Sequence, residues 1–238
     1  MNTWDWVAYL GMDRDGWGVA LLQGAIVTLE ISLGAFVSGI VLGMLGAGAK
    51  LSGVRVLVAI AQAYTTLCRA VPELLLILLL FYAGTDAVNL VMIAVGIGPV
   101  NVNGFATAVV VLGVVQGAYA AEIIRGAILA IPYGQIEAAR AFGGSPRLVF
   151  QRVVLPAMAP YALAGLANLW LILIKESALI SVVGYTELLS TAKQAASSTR
   201  EYLHYYLIVA AIYFAITKLS NLLFRRIERR FGRWMPNS

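Results

Sequence analysis

The stretch Ile131-Pro-Tyr-Gly-Gln-Ile-Glu-Ala-Ala-Arg-Ala-Phe-Gly-Gly-Ser-Pro-Arg-Leu-Val-Phe-Gln-Arg-Val-Val-Leu-Pro156 separates two long apolar runs, and its folding decides what lies on either side. Gly134 to Phe142 is rich in helix formers. Glu137 stands in the first turn, where a helix favours negative charge, and Gly143-Gly144 stands where a helix stops. Ser145-Pro146 then supplies an N-cap and a proline at N1 for a second helix. The segment reads as two short helices on a membrane surface. Ala138 and Ala139 leave little bulk on one part of the first, so another protein can approach it closely; a solvated connector is the competing reading.

Working outward, a bilayer core about 30 Å thick needs about 20 mainly apolar residues at 1.5 Å each. Five stretches satisfy this: Val19 to Gly48, Val54 to Ala83, Gly104 to Ile131, Leu155 to Ile174 and Tyr202 to Phe224. Ala87 to Gly98 is too short for a span and reads as an interfacial or re-entrant piece. The composition agrees: 61% of the 238 residues are hydrophobic and 12% charged, with a mean hydropathy of +0.84. A soluble domain carries about a quarter charged residues.

The single cysteine, Cys68, excludes an internal disulfide, and the single histidine, His204, leaves no Cys/His zinc cluster and little from which to build a hydrolytic triad. The net charge of +5 comes in short clusters between apolar runs, which suits membrane topology and gives no reason to expect nucleic acid. Lys50, Arg55, Arg140, Arg147, Arg152, Arg225, Arg226, Arg229, Arg230 and Arg233 fall on one side, against Arg14, Lys193 and Arg200 on the other. The amino end is therefore expected outside and the carboxyl end in the cytoplasm, with Trp4, Trp6 and Trp17 at the outer interface and Trp234 near the inner one. The amino end lacks the basic start and cleavage site of a secretory signal, so the chain is read as mature from Met1.

Charges at membrane depth are costly, so Glu30, Arg69, Glu73, Glu122, Arg125 and Lys218 need partners or a wet cavity. Arg69 with Glu73, and Glu122 with Arg125, are spaced to pair along one helix face. Glu30 is placed near the midplane with no partner on its own span, so it meets a cation from another helix or faces a pathway. Pro72 removes a backbone donor in mid-span, so the helix either kinks harmlessly there or breaks around Arg69 to Pro72, with Pro72 opening a second half-helix. Gly39 and Gly43 form a Gly-x-x-x-Gly pair, and Gly34 with Ser38 repeats its spacing, so one stripe of the first span permits close helix packing.

Glu137-Ala138-Ala139, then Gly143, then Val153-Val154-Leu155-Pro156 resembles the EAA loop in the membrane subunits of bacterial ATP-binding-cassette (ABC) importers. Tyr64-Thr-Thr-Leu-Cys-Arg-Ala-Val-Pro-Glu73, Gly117-Ala-Tyr-Ala-Ala-Glu-Ile-Ile-Arg-Gly126, and Asn168 through Lys175-Glu-Ser-Ala-Leu179 resemble the polar amino-acid permeases. Gly24-Ala-Ile-Val-Thr-Leu-Glu30 and Gly46-Ala-Gly-Ala-Lys50 narrow the likeness to the Q-type subunit of histidine/lysine/arginine/ornithine and octopine/nopaline uptake systems. The family usually has Arg-Gly-Thr-Pro where this chain has Arg69-Ala-Val-Pro72.

The resemblance implies an all-α membrane protein of five transmembrane helices, the type I ABC importer permease fold. Residues 1–238 would form one permease domain, with a cytoplasmic coupling loop at 132–156 between helices three and four. Its ATPase-coupling residues would be Glu137, Ala138, Ala139, Gly143, Leu155 and Pro156. Partners would be a second permease subunit forming a heterodimer, two copies of a cytoplasmic ATPase, and a periplasmic solute-binding protein, all at the bacterial inner membrane. ATP and Mg would sit on the ATPase, with no cofactor in this chain. Gly43-Met-Leu-Gly-Ala-Gly-Ala-Lys50 only approaches a P-loop, since one residue parts Gly48 from Lys50 and no Ser/Thr follows. For a basic amino acid or opine, the substrate pathway would draw on Glu30, Arg69, Glu73, Gln116, Tyr119, Glu122, Asn168 and Glu176. A self-sufficient secondary transporter or channel is the alternative, disfavoured by five spans without an inverted repeat; a membrane enzyme is disfavoured by the lone histidine.

Overall fold

Helix α1 runs Gly18–Leu51 and α4 runs Gly104–Leu129, in a computed structural model that describes Gly11 and residues 16–231. Trp4, Trp6, Trp234, Arg14 and Arg233 lie outside the described residues. The two helices pack through the glycine stripe: Gly34 faces Val109, Gly39 faces Gln116, Gly43 faces Ala120 and Gly46 faces Ala121. Residue numbers rise together along both helices, so they run parallel. The stripe thus serves packing inside the chain.

That register moves Glu30. Four residues before Gly34, it lies at the level of the start of α4, about 14 Å from the level shared by Gly39 and Gln116. The midplane assignment is therefore corrected: α1, at 34 residues, overhangs the amino end of α4. Glu30 is exposed, on the same face as Ile26, Leu33 and Val37, and makes no ion pair among the described residues.

The second apolar stretch divides where its proline predicts. Helix α2, Arg55–Ala70, ends at Val71 (φ −93°, ψ 141°), and α3, Glu73–Ala94, starts from an extended Pro72 (φ −54°, ψ 132°). A residue before proline is driven out of the helical region, which places the break at Val71. Two expectations are corrected. The apolar crossing is Glu73–Ala94 rather than Val54 to Ala83, and most of Ala87 to Gly98 continues that helix instead of forming a separate piece. Asp86 interrupts the hydropathy but not the helix, which ends at the Gly96 and Gly98 turns.

Helix α5, Tyr133–Ala141, follows α4 after Pro132. A short α6, Pro146–Val149, passes through a π-helical turn, Phe150–Val154, into α7, Leu155–Glu176. A 3-10 turn, Ser177–Val183, leads to α8, Leu188–Thr199, and finally α9, Tyr202–Phe231. Helix α8 carries Lys193 and occupies the stretch between the fourth and fifth apolar runs. Its Leu188, Ala192, Ala195 and Ala196 pack with Leu21 of α1 and Tyr205 and Val209 of α9. Five helical segments are long and apolar enough to cross a membrane: Gly18–Leu51, Glu73–Ala94, Gly104–Leu129, Pro146–Val183 and Tyr202–Arg229.

Candidate functional site

The break between α2 and α3 sets a carboxylate beside the middle of α4. Glu73, in the first turn of α3, interacts with Tyr119 and with Glu176. Glu176 is buried at the end of α7 and accepts a hydrogen bond from Gln116 Nε2. Gln116 is fully enclosed, and its Oε1 has no hydrogen-bond partner among the described residues. Arg69, on the last turn of α2, acts electrostatically on Tyr119. Four helices thus bring Arg69, Glu73, Gln116, Tyr119 and Glu176 into one polar cluster. The break takes Glu73 off the face of Arg69, so the spacing of four that predicted an ion pair does not give one among the described residues.

Two carboxyl groups against the one guanidinium of Arg69, with an amide that has a spare acceptor and a phenol, suit a cationic guest, since carboxylates accept the N–H groups of ammonium and guanidinium ions. The cluster lies near the middle of α4, where such groups are costly unless they line a cavity or pair with one another.

The remaining pathway candidates lie elsewhere. Glu30 is exposed near the amino end of α1, and Asn168 is exposed on α7. Glu122 sits one turn beyond Tyr119 toward the α5 end. Its Oε2 accepts from Arg125 Nε at 3.1 Å and Arg125 Nη2 at 3.0 Å, and its Oε1 accepts from Lys50 Nζ. The Glu122–Arg125 pairing follows the spacing of three. Lys50 lies 72 residues from Glu122, and no sequence signal joins them.

At the α5 end, Glu137 and Ala138 are exposed, while Ala139 packs against the core around Ile131 and Val149. Leu155 and Pro156 are exposed where α7 begins. The C-terminus of α5 is a Schellman turn: Gly144 N–H donates to the Ala139 carbonyl at 3.1 Å and Gly143 N–H to the Arg140 carbonyl at 2.9 Å. Gly143 adopts φ +79°, which favours glycine and tolerates Asn or Asp, while a Cβ at Gly144 would stand 2.6 Å from the Ala139 oxygen, so Gly144 must be glycine. Ser145 caps α6 by accepting from Leu148 N–H at 3.4 Å. Phe142, which is not among the expected coupling residues, is 93% exposed on this surface. An aromatic immediately before a Gly-Gly stop was its available signal.

The chain matches the family of binding-protein-dependent transport system inner membrane components over residues 39–233. It is 42% identical over 228 residues to the octopine transport system permease protein OccQ of Rhizobium radiobacter, covering 95% of this chain and 96% of the relative. To the histidine/lysine/arginine/ornithine transport system permease protein HisQ of Escherichia coli (strain K12) it is 39% identical over 217 residues, covering 91% and 95%. Among solved structures, an amino acid ABC transporter crystallised with histidines matches with a TM-score of 0.77 at 31% identity, covering 97% of this chain and 99% of the other. An inward-facing structure of the methionine transporter MetNI shares the fold, with a TM-score of 0.66 at 21% identity, covering 89% and 94%.

Proposed function

The chain belongs to the family of binding-protein-dependent transport system inner membrane components, as a multi-pass ABC permease subunit of the bacterial inner membrane, and on that premise we propose that it carries a basic amino acid or an opine inward. The observation behind this reading is the acidic cluster of Glu73 and Glu176 with Gln116 and Tyr119 at the α2–α3 break. The relatives named for octopine and for histidine, lysine, arginine and ornithine support the same substrate class.

In this reading residues 1–238 act as one permease domain, with the α5 end in the cytoplasm and the amino end outside, in line with the Lys/Arg bias. The 132–156 loop seats in a cytoplasmic ATPase, through Glu137, Ala138, Ala139, Gly143, Leu155 and Pro156, with Phe142 as an apolar anchor. Two ATPase copies bind the ATP and Mg, a second permease completes a heterodimer, and an external solute-binding protein delivers the substrate. This chain contributes no hydrolysis of its own; closure of the ATPase moves α5 and the helices attached to it.

Reconstitution tests the reading. The purified complex should contain an ATPase and a second permease, and proteoliposomes should take up labelled arginine, histidine or octopine only with ATP and the binding protein present. Flux through this chain alone would refute it.

A further inference from the structure

We propose that Lys50 is a positioning residue that clasps half-helix α2 to α1 and α4 and so closes the cytoplasmic side of the pathway. The inference rests on the pathway and orientation given above.

The Lys50 side chain is 5% exposed although it sits on the last turn of α1. A buried ammonium is tolerated only when paired and hydrogen-bonded. Lys50 donates to Thr65 Oγ1 of α2 at 2.6 Å and to Glu122 Oε1 of α4, so one cation joins three helices. Both Glu122 oxygens are engaged, one by Lys50 and the other by Arg125. The charge of the carboxylate is therefore already met by two cations, which compete with a cationic substrate for it.

The position suits a gate. Gln116, Tyr119 and Glu122 are spaced three apart on α4, so the clasp stands one turn from the substrate cluster toward the α5 end. Thr65 stands one turn before Arg69, and Tyr64 of the same half-helix donates to the Val114 carbonyl of α4. The break at Val71–Pro72 leaves α2 as a separate rigid piece with its own hinge. Release toward the α5 end requires α2 to part from α1 and α4, and the charged group opposing this is the Lys50 ammonium, which donates to Thr65 of α2 while Glu122 of α4 holds it in place.

Cys68 provides the probe. It is the chain's single cysteine, it lies on α2 one turn past Thr65, and it is buried against Leu76, Val115 and Ala118. The assembled transporter, with cysteine-free partner subunits, is placed in inside-out vesicles and treated with a membrane-impermeant maleimide. Lys50→Met should raise Cys68 labelling at least about tenfold in the nucleotide-free state, as expected for loss of a charge-assisted hydrogen bond. Lys50→Arg should restore protection. Thr65→Val, which keeps shape and removes only the acceptor, should give a smaller rise and tests the clasp even where Lys50→Met fails to assemble. Glu122→Gln combined with Lys50→Met should label no faster than Lys50→Met alone. Labelling that is unchanged in Lys50→Met, or in Thr65→Val where the former does not assemble, would overturn the proposal, as would an additive double variant. The labelling does not depend on what is carried, so a negative result leaves the uptake test of the substrate reading standing.

Discussion

The Thr28 hydroxyl donates to the Glu187 carboxylate at 3.2 Å, joining residues 159 apart in the chain. Glu187 is fully buried, caps α8 by accepting from Leu189 N–H at 2.9 Å and Ser190 N–H at 2.8 Å, and also accepts from the Tyr213 hydroxyl at 3.3 Å. One carboxylate thus ties the start of α8 to the bodies of α1 and α9. Glu187→Ala leaves these donors unsatisfied and should cost about 1–3 kcal/mol, read as a lower thermal midpoint of the purified complex.

The same residue predicts a pH dependence. Burial pushes the Glu187 carboxyl above its ordinary value, against the opposing effect of its four donors. The folded state therefore binds this proton more tightly than the unfolded state. Its contribution is fully present below the ordinary carboxyl range and is lost as pH rises through the raised value. Glu187→Gln removes the titration, so its thermal midpoint should fall less than that of the parent over the same rise in pH. Equal slopes would show that Glu187 does not titrate in this way.

The glycine stripe makes a contrast within one helix. A Cβ at Gly43 would stand 2.6 Å from the Ala120 Cβ, whereas nothing lies within 4 Å of one at Gly48. Gly43→Val should cost about 1–3 kcal/mol through overpacking. Gly48→Ala should be neutral or slightly stabilising, because alanine favours helix. Thermal melts of the two variants decide; equal losses would contradict the packing.

Legibility in the sequence followed range. The apolar runs of α1, α4, α7 and α9 are local signals and were readable to within a few residues, except for the last turns of α9. So were the α5 stop at Gly143-Gly144, the Ser145-Pro146 start and the break at Pro72. The crossing Glu73–Ala94 was misread because hydropathy is continuous through Pro72 and interrupted at Asp86, the reverse of what the backbone does. Lys50 read as a topology signal because its partner Glu122 is on another helix, and no periodicity along one segment reports which helices face each other. Glu187 carries no local sign of burial, yet it is buried because the start of α8 meets α1 and α9 there.

Pro72→Ala restores a backbone donor at the break and should favour a continuous α2–α3 helix, swinging Glu73 away from Tyr119 and Glu176. Arginine uptake in proteoliposomes should show its maximal rate reduced about tenfold, as expected when groups that position a substrate are displaced. Unchanged kinetics would mean that the break is only a kink.

Glu176→Gln keeps the side-chain size and removes a buried carboxyl group beside Gln116. Loss of one charge-assisted hydrogen bond to a cationic substrate corresponds to about a ten- to hundredfold rise in KM for arginine. A variant with unaltered arginine KM would place the cationic group elsewhere.

The most direct test of the central claim, that α5 is the grip of a partner ATPase, is Gly143→Asp with uptake and ATP hydrolysis measured on the same proteoliposomes. Gly143 has φ +79°, which aspartate tolerates better than most residues, and open space around its Cβ, so the fold should survive while a charge enters the exposed surface beside Phe142. The account predicts normal membrane insertion, abolished uptake, and hydrolysis that no longer responds to the binding protein. Uptake at the parent rate with coupled hydrolysis would contradict it.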